Sequence, residues 1–485
     1  MVLLSAKQMR EIDAEAVNLG TPSEVLMENA ATATVFEILK QNPEKVIIFT
    51  GKGQNAGDGF AIARRLYIKK IDTEVITLSP ESSLSGAAAL NFEVLKKLGV
   101  PIKEFSKNGN FECDVIVDCI LGTGVKGVLK GDFEDAVNII SNSSAYVISA
   151  DIPSGISADN GEVLGCAVKA DKTVTYGFLK AGLFSPLSAD YVGEIVLDDV
   201  SIPENKEIFS DVKTFLITKG DVTFPKSLKS AHKGTNGKVL IAGGSEGMCG
   251  AVFMAADSAA KVGAGLITCA TQKNLLPIFM KKLYTGMCTD IDTVDFSAYD
   301  TVLFGNGLGK DEKNLPVLRK AVSETTGNLI IDADGLNLLA EDISILKNKN
   351  CNIFLTPHPL EFARLCNIQT GEVLKNRVEL ASEFSEKYGV YLILKSSHTV
   401  VALPDGTAYI NSTGNEGMAK GGSGDVLAGI LAGAVHKYNS PVSAAISAVY
   451  LHSVAGDIAA ESIGKISMTA EDIIKNIPAA IKFIK

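Results

Sequence analysis

"KVIIFTGKGQNAGDGFAIARRLYIKK", residues 45–70, decides the fold class of the first half of the chain. An apolar run leads into a glycine-rich turn and then into a stretch with helical spacing. The pattern predicts a buried strand, a loop at its C-terminal end and an amphipathic helix. Upstream, residues 8–41 carry helical periodicity that breaks near Gly20–Pro22. Downstream, strands are expected at 74–78, 114–118, 146–150 and 172–176, with helical or loop segments between them. This alternation predicts a Rossmann-like three-layer α/β domain with a mainly parallel sheet.

After "DDVSIPENKEIFSDVKTF" (198–215) the pattern restarts. "KVLIAGG" (238–244) opens a second α/β series, with strands expected at 265–270, 301–304, 328–332, 352–356 and 391–395. A hairpin is expected at 399–411, turning at "PDG" (404–406). The end reads as three helices, 423–438, 441–461 and 469–483. The boundary falls near 212, giving domains 1–212 and 213–485 that share an architecture class but no motif.

Bulk composition narrows the function classes. The chain has 485 residues, 46% hydrophobic, with 45 Gly and no Trp, as suits an α/β protein rich in tight turns. Net charge is −10, which argues against a nucleic-acid surface. The 46 basic and 56 acidic residues divide unevenly: 19 and 30 in 1–212, leaving 27 and 26 in 213–485. If the first half binds an anion, it must use local donors or a bound cation. No apolar run reaches membrane-spanning length and no signal peptide is evident, so the expectation is a soluble, cytoplasmic protein without nucleic-acid or membrane partners. The eight Cys form no CxxC pair. Cys113, Cys119, Cys269 and Cys351 lie in or beside apolar runs and read as reduced, buried thiols. No Cys/His cluster suggests zinc.

Three predicted strand ends carry polar residues where open α/β sheets bind ligands. "GKGQNAGDG" (51–59) is not G-x-G-x-x-G, because its third Gly comes one residue late. "VDCILGTGVKG" (117–127) and "ADIPSGISADNG" (150–161) follow. Together they converge Asn55, Asp58, Asp118, Lys126, Asp151 and Ser154 on one edge. With the entry motif "MREIDAEAVNLGTPSEVLMENA" (9–30), roughly residues 1–210 resemble the NAD(P)H-hydrate epimerase family. The resemblance implies that Gln54, Asn55, Ala56, Gly57 and Asp58 contact the hydrated nucleotide. It implies the same for Gly122, Thr123, Gly124, Val125, Lys126, Gly127, Val128 and Asp151. It also implies a potassium ion held by Asn55, Asp118 and Ser154. Gln54 stands where that family usually has Asn. Epimerisation would remove the hydroxyl from a ring carbon and return it on the other face. The proton shuttle would be Lys126 with Asp118 or Asp151, and the residues leave that choice open.

The second half carries "HKGTNGKVLIAGGSEGMCGA" (232–251), "FGNGLGK" (304–310), "DADGLNLL" (332–339), "LTPHPLEFARL" (355–365), "LKSSHTVVA" (394–402) and "NSTGNEGMAKGGSGDVLAG" (411–429). A late G-x-G-D at a helix start is similar to ribokinase-like enzymes. The full set, over roughly 220–485, resembles the ADP- or ATP-dependent NAD(P)H-hydrate dehydratase family, with "GNGLG" where that family often has "GPGLG". The resemblance implies that Ala251, Gly307 and the 358–364 loop, led by His358, contact the hydrated nucleotide. Lys395, Ser396, Ser397, His398, Thr399 and residues 415–424, including Gly424, would hold ADP or ATP with Mg2+. Asp425 would be the base that takes the substrate's hydroxyl proton as its oxygen attacks the terminal phosphoryl group. The backbone N–H groups of Gly421–Gly424 and the helix dipole would stabilise the charge. The expected protein is a homo-oligomer that repairs hydrated NADH and NADPH. Two other readings compete: a ribokinase-type small-molecule kinase, which would release a stable phosphorylated product, and an inactive N-terminal binding module.

Overall fold

The computed structural model describes residues 1–125, 127–204, 209–225, 229–284, 286–309 and 311–485. Two compact units divide the chain: Val2–Val212, and Lys213–Lys485 with Met1.

In the N-terminal unit the strands are β1 (Leu3–Leu4), β2 (Lys45–Thr50), β3 (Asp72–Thr77), β4 (Ile102–Glu104), β5 (Val115–Cys119), β6 (Tyr146–Ala150), β7 (Lys172–Tyr176), β8 (Leu179–Lys180) and β9 (Glu194–Asp198). Seven form one parallel sheet in the order β4-β3-β2-β5-β6-β7-β9, and β1 pairs with β8. The central runs are apolar on both faces, as parallel strands between helical layers must be. Val46, Ile47, Ile48 and Phe49 are completely buried. The strand order reverses between β2 and β5, a topological switch point where such sheets open a ligand crevice. The helix Gln54–Ile68 leaves β2 at that crevice. Gly59 lets it approach the sheet, since a Cβ there would sit 2.8 Å from the Cys119 and Thr50 side chains. The expected break near Gly20–Pro22 separates the helices Ala6–Asn18 and Ser23–Leu39.

In the C-terminal unit the strands are β10 (Thr214–Leu216), β11 (Lys238–Ala242), β12 (Leu266–Thr271), β13 (Met287–Asp290), β14 (Thr301–Phe304), β15 (Asn328–Ile331), β16 (Asn352–Leu355), β17 (Tyr391–Leu394), β18 (Val400–Ala402) and β19 (Ala408–Ile410). They form a ten-stranded sheet in the order β10-β19-β18-β17-β16-β15-β14-β11-β12-β13. It is parallel except where β18 runs against β17 and β19. The switch point lies between β11 and β14. The helix Ser423–Ala434 packs on the helix Cys249–Lys261 through Gly429 and Gly433, where a Cβ would fall 2.3 and 2.5 Å from the carbonyl oxygens of Ala255 and Ala259. This close approach fixes the start of the helix that carries Asp425.

Three expectations change. The helix expected over 423–438 ends at Ala434, and Val435–Lys437 tightens into a 3₁₀ turn. The helix Pro441–Ile463 is long and apolar enough to span a membrane, contrary to the reading of the apolar runs, but 72% of its most apolar window is buried in the protein. It is a core helix. Of the thiols, Cys119 and Cys269 are buried, whereas Cys113 and Cys351 are only partly so because each precedes a strand rather than lying inside it.

Candidate active sites

At the switch point of the N-terminal unit, the ends of β2, β5 and β6 bring Asn55, Asp118, Asp151 and Ser154 together. Asp118 is completely buried at the end of β5. It accepts from Ser154 Oγ at 2.6 Å, the Ser154 backbone N–H at 2.8 Å, Ser149 Oγ at 2.9 Å and the Ile120 N–H at 3.2 Å. Burial raises its pKa, against the pull of those donors. Asn55 spans the crevice, its amide donating to the Leu121 carbonyl at 2.9 Å. Its Oδ1 is buried and has no partner among the described residues. An orphaned acceptor beside a carboxylate is the kind of oxygen set a cation would complete.

Asp151 follows β6 with a left-handed backbone, φ +69°. For a non-glycine residue that conformation is uncommon and must be held by its surroundings. The Thr123 N–H donates to Asp151 Oδ2 at 3.3 Å. Gly122 passes so close that a Cβ there would lie 3.2 Å from the same oxygen. On its other oxygen Asp151 meets Lys180, Nζ to Oδ1 2.7 Å. Lys180 is 1% exposed and its ammonium group also donates to Thr175 Oγ1 at 2.9 Å and the Tyr176 carbonyl at 2.7 Å. Asp58, buried on the helix Gln54–Ile68, is pushed well above the usual carboxylate range, first by burial and then by the charges of Asp151 and Asp13, with Lys180 opposing.

The other sequence-derived positions divide. Ala56 and Gly57 are buried in the helix, and a Cβ on Gly57 would strike the Met27 side chain at 2.4 Å. Gln54 is exposed at the first position of the helix Gln54–Ile68, and Gly124 and Gly127 are exposed in the loop after β5. Val125 is half-buried. Val128 is exposed beside Gly165. Lys126 lies outside the described residues. Lys180 escaped the sequence reading, although a lone lysine inside the apolar stretch "GFLKAGLF" is a signal, since lysine is almost never fully buried unless paired.

In the C-terminal unit, Asp425 occupies the first turn of the helix Ser423–Ala434, whose cap Gly422 is left-handed, φ +96°. Asp425 Oδ1 accepts from Asn306 Nδ2 at 2.7 Å. Burial raises the Asp425 pKa. The Asn306 hydrogen bond and Lys395 oppose that rise, while Asp332 and Asp334 add to it. Lys395 follows β17 and donates to Asp332 Oδ1 at 2.8 Å. Burial works against its charge, but Asp332, Glu361 and Asp425 hold its pKa above the ordinary value. Gly424 adjoins it, since a Cβ there would be 3.2 Å from Lys395 Nζ.

The 395–399 loop closes on itself. Ser396 Oγ donates to the His398 carbonyl at 2.9 Å, Thr399 Oγ1 donates to the Ser396 carbonyl at 3.2 Å, and Arg377 binds both Ser396 Oγ and the His398 carbonyl. Ser397 is exposed. Gly307, φ +60°, abuts Ala251: a Cβ on it would lie 2.3 Å from the Met248 carbonyl oxygen and 3.2 Å from Ala251 Cβ. His358 caps the helix Pro359–Cys366, its Nδ1 accepting from the Leu360 and Glu361 N–H groups at 3.1 and 3.2 Å. The Lys395 N–H donates to the neighbouring Pro357 carbonyl at 2.8 Å, which ties this loop to the strand end. Burial, Lys395 and Arg364 lower the His358 pKa. Asn306 and Asp332 were quoted in motifs but given no role by sequence reasoning. They meet because β14 and β15 lie side by side in parallel, a pairing that no local pattern encodes.

Comparison with known proteins follows the same division. A family model described as NAD(P)H-hydrate dehydratase matches residues 239–479, and one described as YjeF-related protein N-terminus matches 23–182. The chain is 37% identical to the bifunctional NAD(P)H-hydrate repair enzyme Nnr of Coxiella burnetii over 98% of both proteins. It is 33% identical to the enzyme of that name from Moorella thermoacetica, covering 99% of this chain and 97% of that protein. Among solved structures, an ADP/ATP-dependent NAD(P)H-hydrate dehydratase from Bacillus subtilis, co-crystallised with ATP/Mg2+, is 28% identical with a TM-score of 0.51. It covers 56% of this chain and 99% of that one.

Proposed function

The chain belongs to the family of bifunctional NAD(P)H-hydrate repair enzymes, and from that membership we infer how its two sites divide the work. Val2–Val212 epimerises the R and S hydrates of NADH and NADPH. Lys213–Lys485 dehydrates the S hydrate at the expense of ADP or ATP. The observation that carries the reading is Asp425, held through one oxygen at a glycine-rich helix start beside Lys395.

The hydroxyl to be removed sits on a ring carbon next to the ring nitrogen, and hydroxide is a poor leaving group. Asp425 takes the hydroxyl proton while the oxygen attacks the terminal phosphoryl group of the nucleotide, whose bond to the next phosphate breaks. The N–H groups of Gly421–Gly424, the helix dipole and Lys395 face the charge that gathers on the phosphoryl oxygens. Inorganic phosphate then leaves with the C–O electrons as the nitrogen lone pair forms an iminium. Loss of a proton from the adjacent carbon restores the dihydronicotinamide. Magnesium neutralises phosphate charge when bound. Such an ion would arrive with the nucleotide and keep several waters. Ala251, Gly307 and His358 line the hydrate side, and Ser396–Thr399 the adenine side.

In the epimerase unit the iminium forms by loss of the hydroxyl as water and is rehydrated on the other face. Asp151, ion-paired with Lys180, is the carboxylate of that exchange. Asp58, whose pKa burial and the charges of Asp151 and Asp13 raise, lies within electrostatic reach of Asp151, and the family resemblance gives Lys126 a part in the proton shuttle. The unpartnered Asn55 Oδ1, with Asp118 and Ser154, fits a large monovalent cation with little demand for fixed geometry. Potassium there would supply the positive charge that an acidic unit needs to hold a pyrophosphate.

The test is ultraviolet monitoring of mixed hydrate epimers with ADP or ATP, in potassium and in a bulky organic cation. Recovery of dihydronicotinamide absorbance with release of inorganic phosphate is expected. In the organic cation only the S fraction should recover quickly. A stable phosphorylated product would instead indicate a ribokinase-type kinase.

A further inference from the structure

We propose that Asn306 is a positioning residue of the dehydratase site, its side-chain amide bridging Asp332 and Asp425 so that one oxygen of Asp425 is fixed and the other is left for the substrate's proton. The proposal rests on the reading of Asp425 as the base.

Asn306 stands at the switch point, just after β14, and is completely buried. Its backbone is locked. The Gly244 N–H donates to its carbonyl at 2.9 Å. Gly243 packs so tightly that a Cβ there would be 2.3 Å from the same oxygen. Gly305 (φ +118°) and Gly307 (φ +60°) on either side supply the turn. From that fixed point Nδ2 donates to Asp425 Oδ1 at 2.7 Å and to Asp332 Oδ2 at 2.9 Å.

The orientation of the amide is dictated by chemistry. Turning it over would set its carbonyl oxygen against two carboxylates, so both N–H groups are committed to them. The amide oxygen is left buried and without a partner among the described residues, which is the cost of that commitment. Asp332 has two further donors, Lys395 Nζ and Thr356 Oγ1, both at 2.8 Å. Besides burial, the groups that act on the Asp425 charge are Asn306, which is hydrogen-bonded to it, Asp332, Lys395 and Asp334. Remove the amide, and Lys395 alone opposes burial and two like charges.

A proline at this place, as in the "GPGLG" form of the motif, offers no side-chain donor. This chain thus carries a base-holding contact that the proline form lacks, and Asn306→Pro tests it without losing the turn. Asn306→Leu keeps the volume instead. Expected for both are a folded unit by thermal melting, an unchanged KM for the nucleotide, and a kcat for dehydration about ten- to a hundred-fold lower, the worth of a hydrogen bond to a charged group. The acid limb of the kcat–pH profile should move to higher pH, because Asp425 becomes harder to ionise. If the leucine variant misfolds, the proline variant carries the measurement. Wild-type kcat and an unmoved acid limb in a folded variant, while Asp425→Asn is inactive, would overturn the proposal. Full activity of Asp425→Asn would instead overturn the base assignment itself.

Discussion

Lys180 in the N-terminal unit is buried and Lys395 in the C-terminal unit is half-buried, and both are paired with an aspartate at the C-terminal edge of a parallel sheet, at 2.7 and 2.8 Å. Their surroundings differ. Around Lys180 stand two further acids, Asp58, buried and pushed well above its ordinary pKa, and Asp13, pushed up to about 6 by burial. Around Lys395 stand Glu361 and, half-buried, Asp425, whose rise in pKa the Asn306 amide opposes. On the proposed reading, one cluster keeps a proton beside its ion pair and the other keeps a carboxylate ready to accept one. An exchange that removes and returns water needs the first. A transfer that consumes a hydroxyl proton needs the second.

The sharpest way to break this comparison is Asp425→Asn. Nucleotide-dependent dehydration should fall by about 10²–10⁴-fold, the usual contribution of a general base, while epimerisation stays at the wild-type rate. Assaying both activities on one preparation checks it. Loss of both, or of neither, would mean that the two clusters do not divide the chemistry as described.

Next in size is Lys180→Met. Removing one partner of a buried ion pair strands the other charge and costs about 3–5 kcal/mol. The N-terminal unit should melt earlier and lose epimerase activity while dehydration persists. Lys180→Arg should recover part of both, because it keeps the charge. Urea unfolding followed by a probe in each unit separates the effects. Equal destabilisation by Met and Arg would reduce Lys180 to a packing role.

Much of this comparison could be read from the residues in advance, and the remainder has physical reasons for its silence. Strands such as Val46–Phe49 and Val302–Phe304 are apolar on both faces and declare themselves. Ile102–Glu104, Glu194–Asp198, Thr214–Leu216 and Met287–Asp290 went unpredicted because edge and near-edge strands are short and partly wet, with no alternation long enough to register. The loops around Asn55, Asp118, Asp151 and Asp425 were legible because glycines and polar residues cluster at strand ends. Partnerships were not. Lys180 reaches Asp151 across 29 positions, and Asn306 reaches Asp425 across 119, and nothing local specifies either meeting.

A smaller effect sharpens the proton-storing half. The folded pKa of Asp58 lies above that of the unfolded chain, so folding takes up a proton. Its contribution to stability is fully present below the ordinary carboxylate pKa, about 4, and is lost as pH rises through the folded value. The N-terminal unit should therefore lose stability with rising pH over that window, and Asp58→Asn should flatten the fall. Chemical denaturation at several pH values checks it; parallel curves for the two proteins would place Asp58 in an ordinary surface environment.

The smallest effect runs the opposite way in the other unit. His358 Nδ1 accepts from two backbone N–H groups at the start of the helix Pro359–Cys366, and Glu361 returns a bond from the His358 N–H at 2.8 Å. Only the neutral ring can accept at Nδ1. Burial and the charges of Lys395 and Arg364 hold the pKa below its ordinary value, so folding releases a proton from this residue. The stability it contributes is present above the unfolded pKa, about 6.5, and is lost as pH falls through the lower folded value. His358→Ala should cost about 1 kcal/mol, the usual worth of a helix N-cap. His358→Asn, a strong cap that does not titrate, should keep most of that stability and remove the acid-side loss. Melting of the C-terminal unit between pH 5 and pH 8 decides the matter: the alanine variant low throughout, the asparagine variant level, and the wild type falling only on the acid side. An acid-side fall that persists in His358→Asn would assign it to some other group and leave His358 with no part in the pH response of this unit.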